Sequence, residues 1–433
     1  MQCLQMTLLT IYTVYYLWKS KVIYGIIHFA FPDNGEKKEN GFLMKNNRTW
    51  AEIDLDALKF NIQQIRKVTE PGAEVTAVVK ANAYGHGAVE VARVLVENGA
   101  DRLAVACVSE AKQLRCSGIT QPIMILGAVS SEDATDIVKY DIIATVFSYD
   151  TASAVSEEAK KCGKCAKIHI KTDTGMSRIG FVAGENEDAA LDEIIRINEL
   201  EGICIEGIFS HFATSDENDE SYMRYQLDVF LKFCKKLEEK GINIPIRHIA
   251  NSAAIMMYPE THLEMVRAGI ILYGLYPSQD VDKSKLKLKP VMSMKSRITM
   301  VKEKEAGWGV SYGKEYITDR KTVIATVPVG YGDGYVRSLA KKAYVLLKDG
   351  TRAKIIGRIC MDQCMIDATN VNNISVGDEV TLFGAGDVTA DDIAAWMDSI
   401  NYEVVCLISA RIPRLYIEDG KVKLVKDYID ELI

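Results

Sequence analysis

Between Val75 and Tyr273 short apolar runs alternate with amphipathic helical stretches. The runs are Val75–Lys80, Arg102–Val108, Pro122–Leu126, Ile142–Phe147, Lys167–Thr172, Ile203–His211, Ile246–Ala250 and Glu264–Ile271. Between several of them lie segments with apolar residues at helical spacing: Ala88–Asn98, Thr151–Lys161, Glu185–Leu200 and Tyr222–Glu239. Strands alternating with helices predict βα units and a parallel sheet. Eight such runs over roughly 200–250 residues suit a (β/α)8 barrel of the TIM type. An open doubly wound sheet is the alternative, but no GxGxxG follows the first run.

After Tyr273 strand-like runs follow one another with turn signals and few helices: Val291–Lys302, Thr322–Val329, Ala343–Leu347, Ala353–Gly357, Cys364–Ala368 and Glu379–Phe383. The Asp349-Gly350 pair reads as a hairpin turn, because that dipeptide tolerates the positive φ of tight turns. One helix is predicted over Thr389–Met397, with Thr389 as its cap and Asp391 and Asp392 in its first turn. The chain therefore reads as an α/β protein. An N-terminal barrel over 46–286 is followed by a mostly β domain over 287–433. Neither a repeat nor a low-complexity segment is evident.

The first 43 residues do not fit this frame. Leu8–Trp18 and Val22–Phe31 are apolar but are split by Lys19 and Lys21. A membrane-spanning helix needs about 20 predominantly apolar residues, and a secretory signal wants charge before its apolar region. Met44 is followed directly by sequence that reads as the start of a globular domain. Residues 1–43 are read as a dispensable extension upstream of the real start, with a weak membrane anchor as the minority alternative.

Composition narrows the class. Of the 433 residues 48% are hydrophobic and 26% charged, as in soluble globular chains. The net charge of -7 and the absence of a basic stripe with interleaved aromatics argue against a nucleic-acid binder. The ten cysteines form no disulfide framework, which suits a reducing compartment such as the cytoplasm. Cys162 and Cys165 form a single CxxC, too few ligands for zinc, so no metal is expected.

The chemistry clusters at the ends of the barrel runs. In Ala77-Val-Val-Lys-Ala-Asn-Ala-Tyr-Gly-His-Gly, Lys80 ends an apolar strand and so stands at the face where barrel active sites form. A desolvated lysine there has a lowered pKa and is a competent nucleophile toward a carbonyl. Lys171-Thr-Asp-Thr-Gly-Met-Ser-Arg-Ile-Gly-Phe ends the fifth run, Phe209-Ser-His-Phe the sixth, and Asn251-Ser252 follows the seventh. Val266-Arg-Ala-Gly-Ile closes the set. The loops after strands seven and eight of such barrels often bind phosphate. Read alone, the turns around Tyr312, Tyr331 and Met361 are aromatic and glycine-rich packing elements.

These motifs, in this order and spacing from about Thr49 to the C-terminus, resemble the alanine racemase family of pyridoxal-phosphate enzymes. The resemblance implies that Lys80 carries the cofactor covalently and that Tyr84 hydrogen-bonds its phosphate. Ser252 and the amides of Gly269 and Ile270 then complete the phosphate site. It implies Arg178 beside the cofactor's phenolic oxygen and the substrate carboxylate, and Lys171 as a lysine often carbamylated that orients Arg178. Arg267, hydrogen-bonded to His211, would face the pyridine nitrogen. An arginine has a pKa above about 12, so that nitrogen would stay unprotonated.

In the β domain Tyr312 matches the second catalytic base, which reaches the partner's active site in a head-to-tail homodimer. Tyr331 matches a tyrosine at the substrate entrance, and Met361 a residue whose backbone amide meets the substrate carboxylate. Racemisation needs a base on each face of a planar carbanion; Lys80 and Tyr312 would supply them. A phenol titrates near 10, so a tyrosine base needs a nearby cation or imidazole. The implied activity is interconversion of L- and D-alanine, supplying D-alanine for peptidoglycan.

One departure bears on the substrate. Alanine racemases commonly carry tyrosine just before the Arg-x-Pro-Arg run, and here that position is Ala410. The missing ring would leave space, as in serine-type and broad-specificity relatives, so a serine or broad-specificity racemase is the alternative. A decarboxylase on a similar barrel would lack the Tyr312 and Met361 motifs. A non-enzymatic cofactor carrier built from one barrel would lack the β domain.

Overall fold

The computed structural model describes residues 48–384 and 386–429. Expectations for residues 1–43 lie outside the described residues. Among the described residues no helix is long and apolar enough to cross a membrane.

The described residues open with strand β1, Thr49–Asp54, and helix α1, Leu55–Val68. Asp54 starts α1 by accepting the Ala57 amide at 2.8 Å, and Arg66 and Lys67 complement its C-terminal end. Leu55, Leu58, Ile62 and Ile65 form its buried face. Full burial of one such side chain stabilises by roughly 1.5–3 kcal/mol. Asn61 is also buried on this face, and its amide bonds the carbonyls of Leu272 and Lys289. A polar group there is tolerated because it is paired.

The strands that follow are β2 (Glu74–Val78), β3 (Arg102–Val105), β4 (Ile123–Ile125), β5 (Ile142–Val146) and β6 (Ala166–Asp173), then β7 (Phe181–Val182), β8 (Ile203–Phe209), β9 (Ile246–His248) and β10 (Met265–Ala268). Eight of them pair in parallel in the order β10-β2-β3-β4-β5-β6-β8-β9, with β7 added against β6. The Arg267 amide in β10 donates to the Ala250 carbonyl just beyond β9 at 3.1 Å, which brings the two ends of the path together. The connecting helices are α2 (Ala88–Glu97), α3 (Val108–Cys116), α4 (Ala134–Lys139), α5 (Tyr149–Lys161), α6 (Asp188–Asn198), α7 (Ser221–Glu239) and α8 (Ser252–Met257). Parallel pairing of consecutive strands requires such crossovers. α3 and α4 were not among the predicted helices.

The second sheet has ten strands. They are β1, β11 (Met292–Arg297), β12 (Met300–Lys304), β15 (Thr322–Val327), β16 (Tyr344–Leu347), β17 (Arg352–Ile356), β18 (Cys364–Asp367), β19 (Glu379–Phe383), β20 (Arg414–Glu418) and β21 (Lys421–Lys426), with a separate two-stranded pair β13 (Gly309–Val310) and β14 (Tyr316–Ile317). Its order is β12-β15-β18-β17-β16-β19-β11-β1-β20-β21. β1 pairs antiparallel with β11 and parallel with β20, so the first strand among the described residues belongs to the β-rich part and not to the α/β part. The Asp349-Gly350 turn joins β16 to β17, with Gly350 at φ +85°. Two helices, α9 (Ala390–Met397) and α10 (Asn401–Cys406), interrupt the strands. Thr389 caps α9, with Asp392 closing a reciprocal capping box. α10, β20 and β21 were not predicted.

Candidate active site

A cavity of about 700 Å³ opens at the C-terminal ends of the parallel strands. Nine of the predicted residues line it: Lys80, Tyr84, Lys171, Arg178, His211, Ser252, Arg267, Gly269 and Ile270. They come from the ends of β2, β6, β8, β9 and β10, which is why residues so distant in sequence meet. Four of them are lysines or arginines, against the carboxylates of Asp216 and Glu403 in the same lining. This balance suits a ligand that carries several negative charges.

Lys80 lies two residues beyond the end of β2. Burial lowers its pKa, with the nearby Arg178 and Arg267 charges acting in the same direction. After Lys80 the backbone turns left-handed: Ala81, Asn82 and Ala83 lie near φ +52°, ψ +50°, and Tyr84 has φ +51°. For non-glycine residues this costs roughly 1–2 kcal/mol each, so the surroundings must hold it. Glu110 accepts the amides of Ala81 (2.6 Å) and Ala106 (2.7 Å), and Asn82 accepts that of Ala88. Tyr84 packs its ring against Tyr273, centroids 4.9 Å apart, and Tyr273 donates to the Val78 carbonyl.

A phosphate-sized cradle lies beside Tyr84. The Gly269 amide donates to Ser252 Oγ at 3.0 Å. A Cβ placed on Gly269 would stand 3.1 Å from Tyr84 Oη and 3.3 Å from Ser252 Oγ, so a side chain there would fill the space between the two hydroxyls. Two hydroxyls and the backbone amides at the start of the 3-10 turn Ile270–Tyr273 form a donor set suited to a phosphate. Together with the neighbouring amine of Lys80, the residues present fit pyridoxal phosphate.

Lys171 is buried in β6, donates to the Thr172 carbonyl and lies over the Phe209 ring. Burial, reinforced by Arg267 and Arg178, lowers its pKa to about 7. Arg178 sits on the loop after β6. Asp173 Oδ1 accepts the amides of Gly175, Met176 and Ser177, each at 3.0 Å, and so shapes that loop. Among the described residues Arg178 pairs with no carboxylate, so its guanidinium faces the cavity uncommitted.

Arg267 is fully committed on its inner side. It donates to the carbonyls of Ser210 (2.9 Å) and Ile249 (3.0 Å), to His248 Nδ1 (2.8 Å) and to His211 Nδ1 (3.2 Å). Burial and the Arg178 charge lower its pKa to about 9, below the ordinary arginine value but still cationic at neutral pH. An arginine only donates, so both imidazoles accept at Nδ1. Burial and the surrounding cations hold His211 and His248 well below the usual histidine range. His248 passes the chain to His169 at 2.9 Å, and His169 to Glu206 at 3.2 Å.

Three predicted residues lie elsewhere. Tyr312, Tyr331 and Met361 are 68%, 42% and 53% exposed, and none lines the cavity. They share one patch of the β-rich part. Ser311 donates to the Arg358 carbonyl at 2.6 Å, while the amides of Tyr331 and Gly332 donate to the carbonyls of Cys360 and Met361. Exposed Trp308, just before β13, and Ile317, on β14, flank Tyr312.

The expectation at Ala410 is overturned. Ala410 is exposed and lies outside the cavity. The aromatic ring beside the cradle comes from Tyr402, whose centroid is 6.2 Å from that of Tyr84. α10 places Tyr402 and Cys406 four residues apart, hence on one face, and both line the cavity. Ala410 falls in the turn beyond the helix. Counting back from the Arg-x-Pro-Arg run therefore lands on the wrong side of α10. The apolar spacing of Tyr402, Val405 and Cys406 was the signal that could have found it. No sequence signal marked Glu110 or Asp173.

A cationic cavity with a recessed amine and a phosphate cradle at the ends of parallel strands defines an enzyme that works through a phosphorylated carbonyl cofactor. Residues 53–277 match the family description "Alanine racemase, N-terminal domain", and residues 291–416 match "Alanine racemase, C-terminal domain". The chain is 51% identical over 383 residues to an alanine racemase of Clostridium tetani, covering 88% of this chain and 98% of the relative. It is 49% identical to one of Methanococcus maripaludis, covering 86% and 100%. Among solved structures, an alanine racemase of Clostridium difficile 630 superposes with TM-score 0.86 at 47% identity, covering 89% and 100%. One from Bacillus anthracis with bound L-Ala-P gives 0.83 at 37%, covering 89% and 99%. The chain belongs to the alanine racemase family.

Proposed function

We propose that this chain interconverts L- and D-alanine with pyridoxal phosphate, using Lys80 of one subunit and Tyr312 of its partner as the two bases. The observation that carries this division is the separation of the two groups. Lys80 is recessed in the cationic cavity, whereas Tyr312 is exposed on a patch that does not reach it. A head-to-tail homodimer would deliver the partner's Tyr312, with Tyr331 and Met361 beside it, to the open side of the cavity. Trp308 and Ile317 supply apolar surface for such a contact.

When bound, the cofactor supplies an electron-withdrawing ring that acidifies the substrate's α-carbon. Lys80 Nζ, with its lowered pKa, takes or returns the α-proton on one face, and the Tyr312 hydroxyl does so on the other. Tyr84, Ser252, Gly269 and Ile270 hold the phosphate. Arg178 holds the substrate carboxylate and Met361 contributes its backbone amide. Lys171, an amine lowered to about 7, is the chain's candidate for carbamylation, in which its neutral nitrogen adds to CO2 and releases a proton. Arg267 keeps its charge at neutral pH and would leave the facing pyridine nitrogen unprotonated.

The parallel sheet is read as a closed TIM-type barrel within 46–286, while β1 at the start of that range joins the β domain formed by 287–433. The free cysteines among the described residues favour a cytoplasmic setting, where D-alanine would feed peptidoglycan synthesis. The test is turnover of a panel of L-amino acids with added pyridoxal phosphate, followed by a D-amino-acid readout. Alanine should be the preferred substrate. Racemisation of another amino acid with alanine left untouched would overturn the assignment.

A further inference from the structure

The left-handed segment Ala81–Tyr84 persists only if its surroundings over-determine it. Glu110 and Asn82 hold its start and middle. Its end is held from the far end of the chain. Arg414, the first residue of β20, directs Nε and Nη2 to the Gly85 carbonyl at 3.1 and 3.0 Å. Tyr416 donates to the His86 carbonyl at 3.0 Å.

Arg414 is 1% exposed. Each hydrogen bond of its guanidinium ends on a carbonyl oxygen. Besides Gly85 these are Ile408 at 2.7 Å, Ser409 at 2.6 Å, and Ile412. Among the described residues it pairs with no carboxylate. A buried cation without a counter-ion is a poor device for stability alone. Its geometry has another consequence. Ile408–Ile412 is the turn that follows α10, the helix carrying Tyr402 and Cys406, while Gly85 ends the segment carrying Lys80 and Tyr84. One planar fork therefore ties together two walls of the same cavity. The walls are in close contact at this point, since a Cβ on Gly85 would come within 2.2 Å of the Val405 carbonyl oxygen.

We propose that Arg414 is a positioning residue whose guanidinium sets the spacing between the Lys80–Tyr84 segment and α10, and thereby how tightly the cofactor is held. This rests on Lys80 and Tyr84 being the cofactor contacts named above. Lysine cannot replace the fork, because one ammonium cannot reach carbonyls on two segments in a plane.

The test compares Arg414→Lys and Arg414→Gln with wild type. It measures pyridoxal-phosphate dissociation by equilibrium dialysis, the visible spectrum of the loaded enzyme, KM and kcat for L-alanine, and thermal melting. The expected result is a dissociation constant raised about tenfold or more in Arg414→Gln, with a smaller rise in Arg414→Lys. Millimolar guanidinium should restore part of the loss in Arg414→Gln. Variants that melt lower but keep wild-type cofactor affinity and spectrum would overturn the proposal. If Arg414→Gln does not fold, Tyr416→Phe decides. It removes only the hydroxyl bonded next to Gly85, and should raise the dissociation constant several-fold; no change would sink the idea. Borohydride reduction and peptide mapping of wild type keep the two readings apart. A pyridoxyl group on a residue other than Lys80 refutes the cofactor assignment, whatever the Arg414 variants do.

Discussion

Replacing Tyr402 by alanine tests where the substrate cavity gets its aromatic wall. The ring lines the cavity, lies 6.2 Å from the Tyr84 ring and is half-buried. A fully buried aromatic removes roughly 150–250 Å² from water. Half of that at about 25 cal/mol per Å² gives about 2–3 kcal/mol of stability lost on truncation. The effect on substrate choice is separate. Discrimination by a wall of this kind amounts to roughly 1–3 kcal/mol for one added or missing group. Loss of the lower part of that range raises the serine-to-alanine ratio of kcat/KM by about tenfold. Tyr402→Phe keeps the ring and should keep the ratio, which separates ring from hydroxyl. Ala410→Tyr is the control, since Ala410 lies outside the cavity. The assay is kcat/KM for L-serine and L-alanine in the four proteins at saturating cofactor. An unchanged ratio in Tyr402→Ala, or a shift of the ratio in Ala410→Tyr, would refute the reasoning.

Three further outcomes follow from the same geometry. Lys80→Ala should lose covalent cofactor attachment, and mass spectrometry after borohydride reduction checks this; retention of the adduct would overturn the role of Lys80. Tyr312→Phe should retain cofactor but slow α-hydrogen exchange in deuterated water far more for one enantiomer than the other; equal mild losses would contradict a base on each face. Lys171 has a folded pKa of about 7, below the roughly 10.4 of an exposed lysine. The unfolded chain then binds more protons between these values, so stability in CO2-depleted buffer should rise with pH across about 7 to 10.4, by ~5 kcal/mol at most. Lys171→Met should flatten that rise in urea midpoints, and an identical slope in both proteins would count against it.

The sequence carried the α/β part well because each βα unit is local. A buried parallel strand reads as a short apolar run, and each motif residue falls at the end of one. That is why the sequence alone gathers Lys80, Lys171, His211, Ser252 and Arg267 at one face. Pairings between distant segments left no such trace. β1 falls inside the range 46–286 assigned to the barrel, yet its partners are β11 and β20, and only long-range packing decides that. The run Val291–Lys302 splits into β11 and β12 at Ile298-Thr299, where the chain leaves one strand partner for another. Tyr402 was missed because α10 is a six-residue helix, too short for periodicity to stand out. The left-handed turn after Lys80 was invisible for a different reason: Ala, Asn, Ala and Tyr have no common preference for it, and it exists because Glu110 and Arg414 hold its two ends.

The chain of hydrogen bonds behind Arg267 shows how a buried cation can be kept charged without a carboxylate in contact. Its polarity is fixed at both ends. Arg267 can only donate, so His248 accepts at Nδ1 and must carry its proton at Nε2. His248 then donates to His169 Nδ1, and His169 donates from Nε2 to Glu206. Burial alone would push the Glu206 carboxyl up, but His169, Lys167 and Arg102 outweigh it and hold it well below the usual carboxylate range. Glu206 is therefore a permanent acceptor. Two neutral imidazoles, each below its usual pKa through burial, stand between it and Arg267 with their dipoles aligned head to tail. Each dipole turns its negative end toward the guanidinium, which offsets part of the desolvation that lowers Arg267 to about 9. A direct Arg267–carboxylate pair would have placed a negative charge against the cavity wall that Arg267 forms. With the anion two imidazoles away, the cavity is lined there by a net positive group. That arrangement suits a reaction in which the proton removed from the substrate is returned to the same carbon.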